Sequence, residues 1–242
     1  MAEKLNLQNV EPRILSRGSV KGEDSIIKHI FERIGTTNKF CVEFGTEGHD
    51  GFHQSTTHNL RFNLGWNGIM FDGSYENLAN NIHREFFTKE NICERFKAHN
   101  VPQTFDFLSV DVDGNDFWLL SSLLKEFQPR VVLVEVNMRF QPNDKWVLKY
   151  NPNFHYRVGV TPGWYGCSPR LMKELGEKYS YTAVWIIFDN MVLIRNEDLH
   201  TDDVNTPWET VYPKPTPEIY DSHNDRVMNE SIWMNYGENP LP

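Results

Sequence analysis

Basic residues are in short supply in this chain. Against 33 Asp and Glu there are only 24 Lys and Arg, a formal net charge of -9. Binding a nucleic-acid backbone means displacing counterions with positive side chains, so the balance argues against nucleic acid as a partner. Cysteine is scarcer still. The three, Cys41, Cys93 and Cys167, have no zinc or redox spacing, and an odd number suits a reducing compartment. No apolar run approaches bilayer-spanning length, and residues 1–6 lack the apolar core of a signal peptide. The expectation is a cytoplasmic protein engaging neither membrane nor nucleic acid. Internal repeats and low-complexity tracts are missing, which excludes solenoids. The phosphate-cradling G-K-[ST] loop and the dinucleotide G-x-G-x-x-G are missing as well.

What is present is an ordinary globular composition, 39% hydrophobic over 242 residues, enough for one large domain with its own core. Ile26, Ile27, Ile30, Phe31 and Ile34 share a helical face over 23–34, and Gly35 stops that helix. Residues 40–44 read as a strand, followed by a glycine-rich loop over 45–51 and a helix over 54–63. A strand over 68–71 ends at Asp72, and Ser74 caps an expected helix running to Phe87. Further strands are expected over 92–97, 105–111 and 131–136, with helices over 117–127 and 171–179. Residues 181–188 and 191–194 flank Asp189-Asn190, a two-residue hairpin signal. Strands alternating with helices predict an α/β fold: a mostly parallel sheet ending in an antiparallel hairpin, with helices on both faces. Residues 1–198 would form this domain. Residues 199–242, polar and proline-rich with isolated Trp208 and Trp233, would form an extended tail over the domain or over a partner subunit in a homo-oligomer.

The richest chemistry lies in Phe105-Asp-Phe-Leu-Ser-Val-Asp111-Val-Asp113-Gly-Asn115-Asp116. An apolar strand stops in three acids. In an open α/β sheet ligands bind beyond the C-terminal strand ends, and clustered carboxylates there need a cation or several donors. A plain helix-capping turn would need one Asp, not three. If extended backbone continued, Asp111 and Asp113 would point the same way. The loop Gly45-Thr46-Glu47-Gly48-His49-Asp50-Gly51 turns tightly and is acidic, which would repel a pyrophosphate and suit a ligand with cationic parts. Asp72 is placed to accept both hydroxyls of a ribose, or merely to sit at a helix N-terminus.

The order of 41–53 (Cys-Val-Glu-Phe-Gly-Thr-Glu-Gly-His-Asp-Gly-Phe-His), 65–72 (Gly-Trp-Asn-Gly-Ile-Met-Phe-Asp), 106–116 and 131–137 (Val-Val-Leu-Val-Glu-Val-Asn) resembles the FkbM-like S-adenosylmethionine-dependent methyltransferases. Residues 165–172, Tyr-Gly-Cys-Ser-Pro-Arg-Leu-Met, are similar too. The resemblance spans about residues 40–195. Thr46, Glu47 and Asp72 depart from the commoner pattern. It implies a Rossmann-like class I methyltransferase in which Glu43, Gly45, Thr46, Glu47 and Gly51 hold the methionine part of S-adenosyl-L-methionine, Asp72 its ribose, and Lys97 lies near the adenine. The acceptor implied is a hydroxyl on a sugar or another small molecule, glycosylated or nucleotide-linked.

A sugar hydroxyl is a poor nucleophile unless its proton is removed or a metal lowers its pKa. Asp111, Asp113 and Glu135 end adjacent strands and offer oxygen ligands suited to Mg²⁺ or Mn²⁺. Asp111, Asp113 or His53 could take the proton, and His53 could equally be a capping or core histidine. Asn115, Asn137 and Trp164 are candidate acceptor contacts. The aromatic-rich stretch 137–166, which also carries Trp146, Tyr150, Phe154 and Tyr156, would shape the acceptor pocket. The alternative is a nucleotide-sugar glycosyltransferase reading Asp111-Val112-Asp113 as a D-x-D motif, which leaves the glycine loop and Asp72 without a task. A non-catalytic scaffold would leave the acids idle.

Overall fold

The computed structural model describes residues 4–13, 22–46, 55–156, 165–212, 232–237 and 240–242. Its centre is a seven-stranded sheet. The first three strands in the chain are β1 (Phe40–Phe44), β2 (Asn67–Asp72) and β3 (Ile82–Arg84), followed by β4 (Thr104–Val110) and β5 (Gln128–Glu135). A short β6 (Trp146–Leu148) precedes β7 (Tyr181–Ile187) and β8 (Asn190–Arg195). The sheet order is β3-β2-β1-β4-β5-β8-β7, parallel from β3 to β5 and antiparallel for the last two strands. This is the expected Rossmann-like α/β fold with an antiparallel hairpin at one edge. The chain reverses direction across the sheet between β1 and β4, and ligands bind at such a switch point.

Both faces of the sheet are buried, so the strands read as nearly continuous apolar runs rather than alternating ones. Side chains still alternate between two cores. Val42 and Phe44 join one with Phe96, Leu120, Leu171 and Leu175, while Cys41 joins the other with Ile26, Ile27 and Ile30. The helices involved are α1 (Glu23–Ile34) on one face and α2 (Ile92–Ala98), α3 (Asp116–Leu123) and α4 (Pro169–Lys178) on the other. At the end of the sheet away from the site, Arg130 donates to Asp106 at 2.9 Å, to Asp198 at 2.8 Å and to the Gly35 carbonyl at 2.8 Å. Asp106 also accepts from the backbone of Thr37, Asn38 and Lys39. Burial alone would raise the Asp106 pKa, but the Arg130 and Thr37 hydrogen bonds outweigh it and hold the carboxyl below its ordinary range.

Three expectations need correction. Residues 92–97 form helix, not strand: only Ile92 and Phe96 are fully buried there, four apart, with the charged residues outward. The third strand is instead the three-residue β3. The helix expected over 74–87 is reduced to a 3-10 turn at Leu78–Asn80, where Leu78 is exposed and cannot anchor an apolar face. In the β7–β8 turn the two residues are Phe188 and Asp189, one position earlier than expected, because Asn190 already pairs with Glu135. Of the helix over 54–63, the described part includes a π-helical turn at Asn59–Asn63.

Among the described residues after β8 are two four-residue helices, α5 (Thr201–Val204) and α6 (Trp208–Val211), and a strand, β9 (Trp233–Asn235), which pairs antiparallel with β6. Trp208 and Trp233 are both buried, against α4-side and β6-side residues of the same chain. No helix among the described residues is long and apolar enough to cross a membrane.

Candidate active site

A cavity of about 520 Å³ opens beyond the C-terminal ends of β1, β2 and β4. Its floor is set by a backbone contact between the first two of these motifs and the third. Gly45 has φ +87, its N–H donates to the Phe71 carbonyl at 3.1 Å, and the Asp111 N–H donates to the Phe44 carbonyl at 3.2 Å. A Cβ on Gly45 would lie 1.3 Å from the Asp111 carbonyl oxygen. Only glycine lets the chain pass here, so the glycine of the first motif and the acid of the third are locked together.

Thr46, Asp72, Asp111, Asp113 and Asn115 all line this cavity. Asp72 is half-buried, and its Oδ1 accepts from the backbone N–H of Ser74 at 2.6 Å and of Tyr75 at 3.0 Å, which folds the turn after β2 around the carboxylate. Glu85, Phe86, Phe154, His155 and Tyr156 supply the far walls. The Phe86 and His155 rings meet at 4.9 Å across it. Among the described lining residues there are four carboxylates, Asp72, Glu85, Asp111 and Asp113, and no Lys or Arg. Glu85 is hydrogen-bonded to His99 Nε2 at 2.9 Å and paired with Arg95 at 3.5 Å.

Beneath the cavity, Asp111, Asp116 and Glu135 each offer an oxygen, and these oxygens lie within 4.8 Å of one another. Asp116 is fully buried, with Oδ1 accepting from Val112 N–H at 2.8 Å and Oδ2 from Gly114 N–H at 2.9 Å. Burial, opposed by those hydrogen bonds, pushes its pKa up to about 6. Glu135 Oε2 is buried with no hydrogen-bond partner among the described residues. Burial first, then the charges of Asp111, Asp116, Asp113 and Asp189, raise the Glu135 pKa well above the usual carboxylate range. Three crowded carboxylates, one with an unsatisfied buried oxygen, fit a hard divalent cation that prefers oxygen donors.

The expected trio was Asp111, Asp113 and Glu135. The structure brings Asp116 into the group in place of Asp113. The strand ends at Val110, and Asp113 adopts φ +55 in the following turn, so the two-residue alternation no longer applies. Asp116 points back from the first turn of α3; it is one of the three clustered acids visible in the sequence, but it was not among the expected metal ligands. Glu43 also needs correction. It is buried on the opposite side of β1 from Phe44 and is absent from the described cavity lining. Its carboxylate accepts from Ser55 Oγ at 2.7 Å, Thr56 N–H at 2.8 Å and Thr57 Oγ1 at 2.5 Å, which pins the chain returning from the glycine loop. Lys97 sits on α2 and pairs with Glu126, away from the described lining residues. Asn137 is fully buried, donating to the Tyr165 carbonyl and accepting from Arg139 N–H, so it fastens the backbone rather than facing the cavity. Glu47, Gly51, His53 and Trp164 lie outside the described residues.

The chain is similar in fold to three crystal structures of one enzyme. Against the MycE methyltransferase from the mycinamycin biosynthetic pathway with Mg and SAH, crystal form 1, the identity is 13% and the TM-score 0.41, over 66% of this chain and 46% of that one. The same enzyme with Mg, SAH and mycinamycin VI gives 13% and 0.38, over 65% and 45%. Its crystal form 2 gives 11% and 0.38, over 78% and 51%. The chain thus spans about half the length of these structures. No protein-family model matches it, and no curated protein sequence matches it significantly. The FkbM-like resemblance therefore rests on the motifs alone.

Proposed function

We propose that this chain is an S-adenosylmethionine-dependent O-methyltransferase of the FkbM-like kind, acting on a hydroxyl of a sugar or of a glycosylated or nucleotide-linked small molecule, with help from a divalent cation. One observation carries the reading: the cavity at the switch point is lined by four carboxylates and by no Lys or Arg among its described residues. Such a cavity attracts a cationic ligand and repels a diphosphate. S-adenosylmethionine carries a sulfonium and an ammonium. A nucleotide sugar carries two negative phosphates that would need a cation of their own. The D-x-D reading loses further ground because Asp113 is outside the cation-competent group.

One feature of the wall fits the cofactor: Thr46 presents a buried hydroxyl with no partner among the described residues. Asp72 would accept the ribose hydroxyls. Bound S-adenosylmethionine supplies an electrophilic methyl group for in-line displacement, where positioning contributes much of the rate. Asp111 belongs both to the cavity wall and to the buried group, so a hydroxyl brought to the cavity floor meets the carboxylates directly. Asp111, Asp116 and Glu135 would hold Mg²⁺ or Mn²⁺, which supplies Lewis acidity to a bound hydroxyl. Asp111 or Asp113 is placed to take the proton. Phe154 and Tyr156 offer ring faces on which an acceptor sugar can stack, which supports a carbohydrate-bearing acceptor.

A thermal-shift screen tests the reading, since a ligand that binds only the native state raises its melting temperature. S-adenosylhomocysteine should raise it, and UDP- and GDP-sugars, with or without Mn²⁺, should not. The reverse pattern would establish the glycosyltransferase instead.

A further inference from the structure

One cation near the buried carboxylates is unspent. Arg130, Arg170 and Arg195, each buried or half-buried, all hold a carboxylate. Arg139 is half-buried as well, yet its guanidinium pairs with no carboxylate or carbonyl among the described residues. It lies in the turn that leaves β5, shortly after Glu135. Asn137 fixes that turn: its Oδ1 accepts from Arg139 N–H at 3.1 Å and its Nδ2 donates to the Tyr165 carbonyl at 3.1 Å. The fully buried Asn137 thus brings the Arg139 and Tyr165 backbones together. The Tyr165 phenol feels the charges of Glu135, Asp189 and Arg139, and it interacts with Tyr156 of the cavity wall. Tyr165 is half-buried too, and its hydroxyl has no hydrogen-bond partner among the described residues. Guanidinium and phenol both donate. In the sheet order they stand on the β5 side of the carboxylate group, while the cavity opens over β1, β2 and β4.

We infer that Arg139 and Tyr165 form a carboxylate-binding subsite for the acceptor, so that the hydroxyl to be methylated belongs to an acidic sugar or a similar hydroxy acid. A guanidinium donates two parallel N–H bonds that match the two oxygens of a carboxylate, and the phenol adds a third donor. Charge decides between a carboxylate and a phosphate monoester. Asp111, Asp113, Asp116 and Asp189 already act on Glu135 at this end of the sheet. One guanidinium balances one negative charge, so a monoanion fits and a dianion does not. A carboxylate held at Arg139 and a hydroxyl held at Asp111 orient the acceptor at two points, which is what an in-line displacement needs. The inference rests on the methyltransferase reading and narrows its acceptor class.

A comparison of glucuronate, glucose and glucose 6-phosphate tests it. Their binding to the full chain is measured by saturation-transfer NMR with S-adenosylhomocysteine and Mg²⁺ present. Glucuronate should bind roughly tenfold more tightly than glucose, the scale of a charge-assisted hydrogen bond, and glucose 6-phosphate should show no such gain. Arg139→Gln should erase the preference and leave glucose and S-adenosylhomocysteine affinity unchanged, a split that a merely structural arginine would not produce. Tyr165→Phe removes one hydroxyl and should weaken glucuronate alone, by about threefold. Wild-type protein that binds glucuronate no better than glucose, or that prefers the phosphate, would overturn the inference. So would a preference that survives in Arg139→Gln, because the carboxylate would then be held elsewhere. A Tyr165→Phe variant equal to wild type would strike the phenol from the subsite. S-adenosylhomocysteine binding is read first: its absence removes the methyltransferase reading, whereas a missing sugar preference on the S-adenosylhomocysteine complex removes only the acidic acceptor.

Discussion

Raising the pH from about 5 to about 7.5 should destabilise the metal-free protein through its buried carboxylates. Asp116 has an ordinary pKa of 3.8 and a native one of about 6. A group whose native pKa is raised holds its proton more tightly when folded, so its stabilising share is complete below the ordinary value and is lost as pH rises through the native one. At roughly 1.4 kcal/mol per pKa unit, the full titration of Asp116 costs about 3 kcal/mol, and the part between pH 5 and 7.5 about 1.4 kcal/mol. Glu135, raised by burial and by the Asp111, Asp116, Asp113 and Asp189 charges, works in the same direction. His83, lowered by burial and by His99, works in the opposite one. Comparison with Glu135→Gln therefore isolates the carboxylate group. Urea denaturation in EDTA should find the variant more stable than wild type at pH 7.5, with the advantage shrinking toward pH 4.5. Mg²⁺ or Mn²⁺ at a hundred times its dissociation constant should return about 2.7 kcal/mol to wild type at pH 7.5 and much less to the variant. If Glu135→Gln is destabilised at pH 7.5, or if the cation leaves wild type unchanged, the three oxygens are not a cation site.

Other perturbations separate the site from its scaffold. Asp72→Asn keeps an acceptor for the Ser74 and Tyr75 amides while removing the charge, so S-adenosylhomocysteine affinity should fall about tenfold with little change in melting temperature. Gly45→Ala combines a left-handed φ with a collision against the Asp111 carbonyl, and should cost about 3 kcal/mol or more by denaturant titration while abolishing cofactor binding. Arg130→Leu strands the buried Asp106 without its cation, while Asp198 keeps Arg195 at 2.9 Å, and should cost about 3–5 kcal/mol. Because the Asp106 pKa is lowered, its share of stability is present above the ordinary carboxylate value and is lost as pH falls through the native one; an acid titration followed by circular dichroism should show this loss in wild type and not in the variant.

The parallel part of the sheet was readable because three of its strands are apolar runs that stop at a glycine or an acid: Phe44 before Gly45, Phe71 before Asp72, Val110 before Asp111. Short elements were not. Three residues of β3 carry too little pattern to stand out, and Ile92 to Ala98 holds one apolar pair whose four-residue spacing is easily taken for a strand with charges between. The acids that gather at the strand ends were legible as a group but not member by member. Whether Asp113 or Asp116 joins Asp111 depends on a left-handed residue inside the turn, which composition does not reveal. Glu43 looked like a ligand because it precedes the glycine loop, but strand alternation turns it to the other face, and the hydroxyls of Ser55 and Thr57 that absorb it lie twelve and fourteen residues away.

Isothermal titration of the purified chain with S-adenosylhomocysteine, against UDP-glucose plus Mn²⁺ as comparator, bears most directly on the cavity's identity. Saturable one-to-one binding of S-adenosylhomocysteine, weakened in Asp72→Asn, together with no heat from UDP-glucose, is the expected result. Saturable binding of UDP-glucose with none of S-adenosylhomocysteine would contradict the assignment of this carboxylate-lined crevice to a cationic methyl donor.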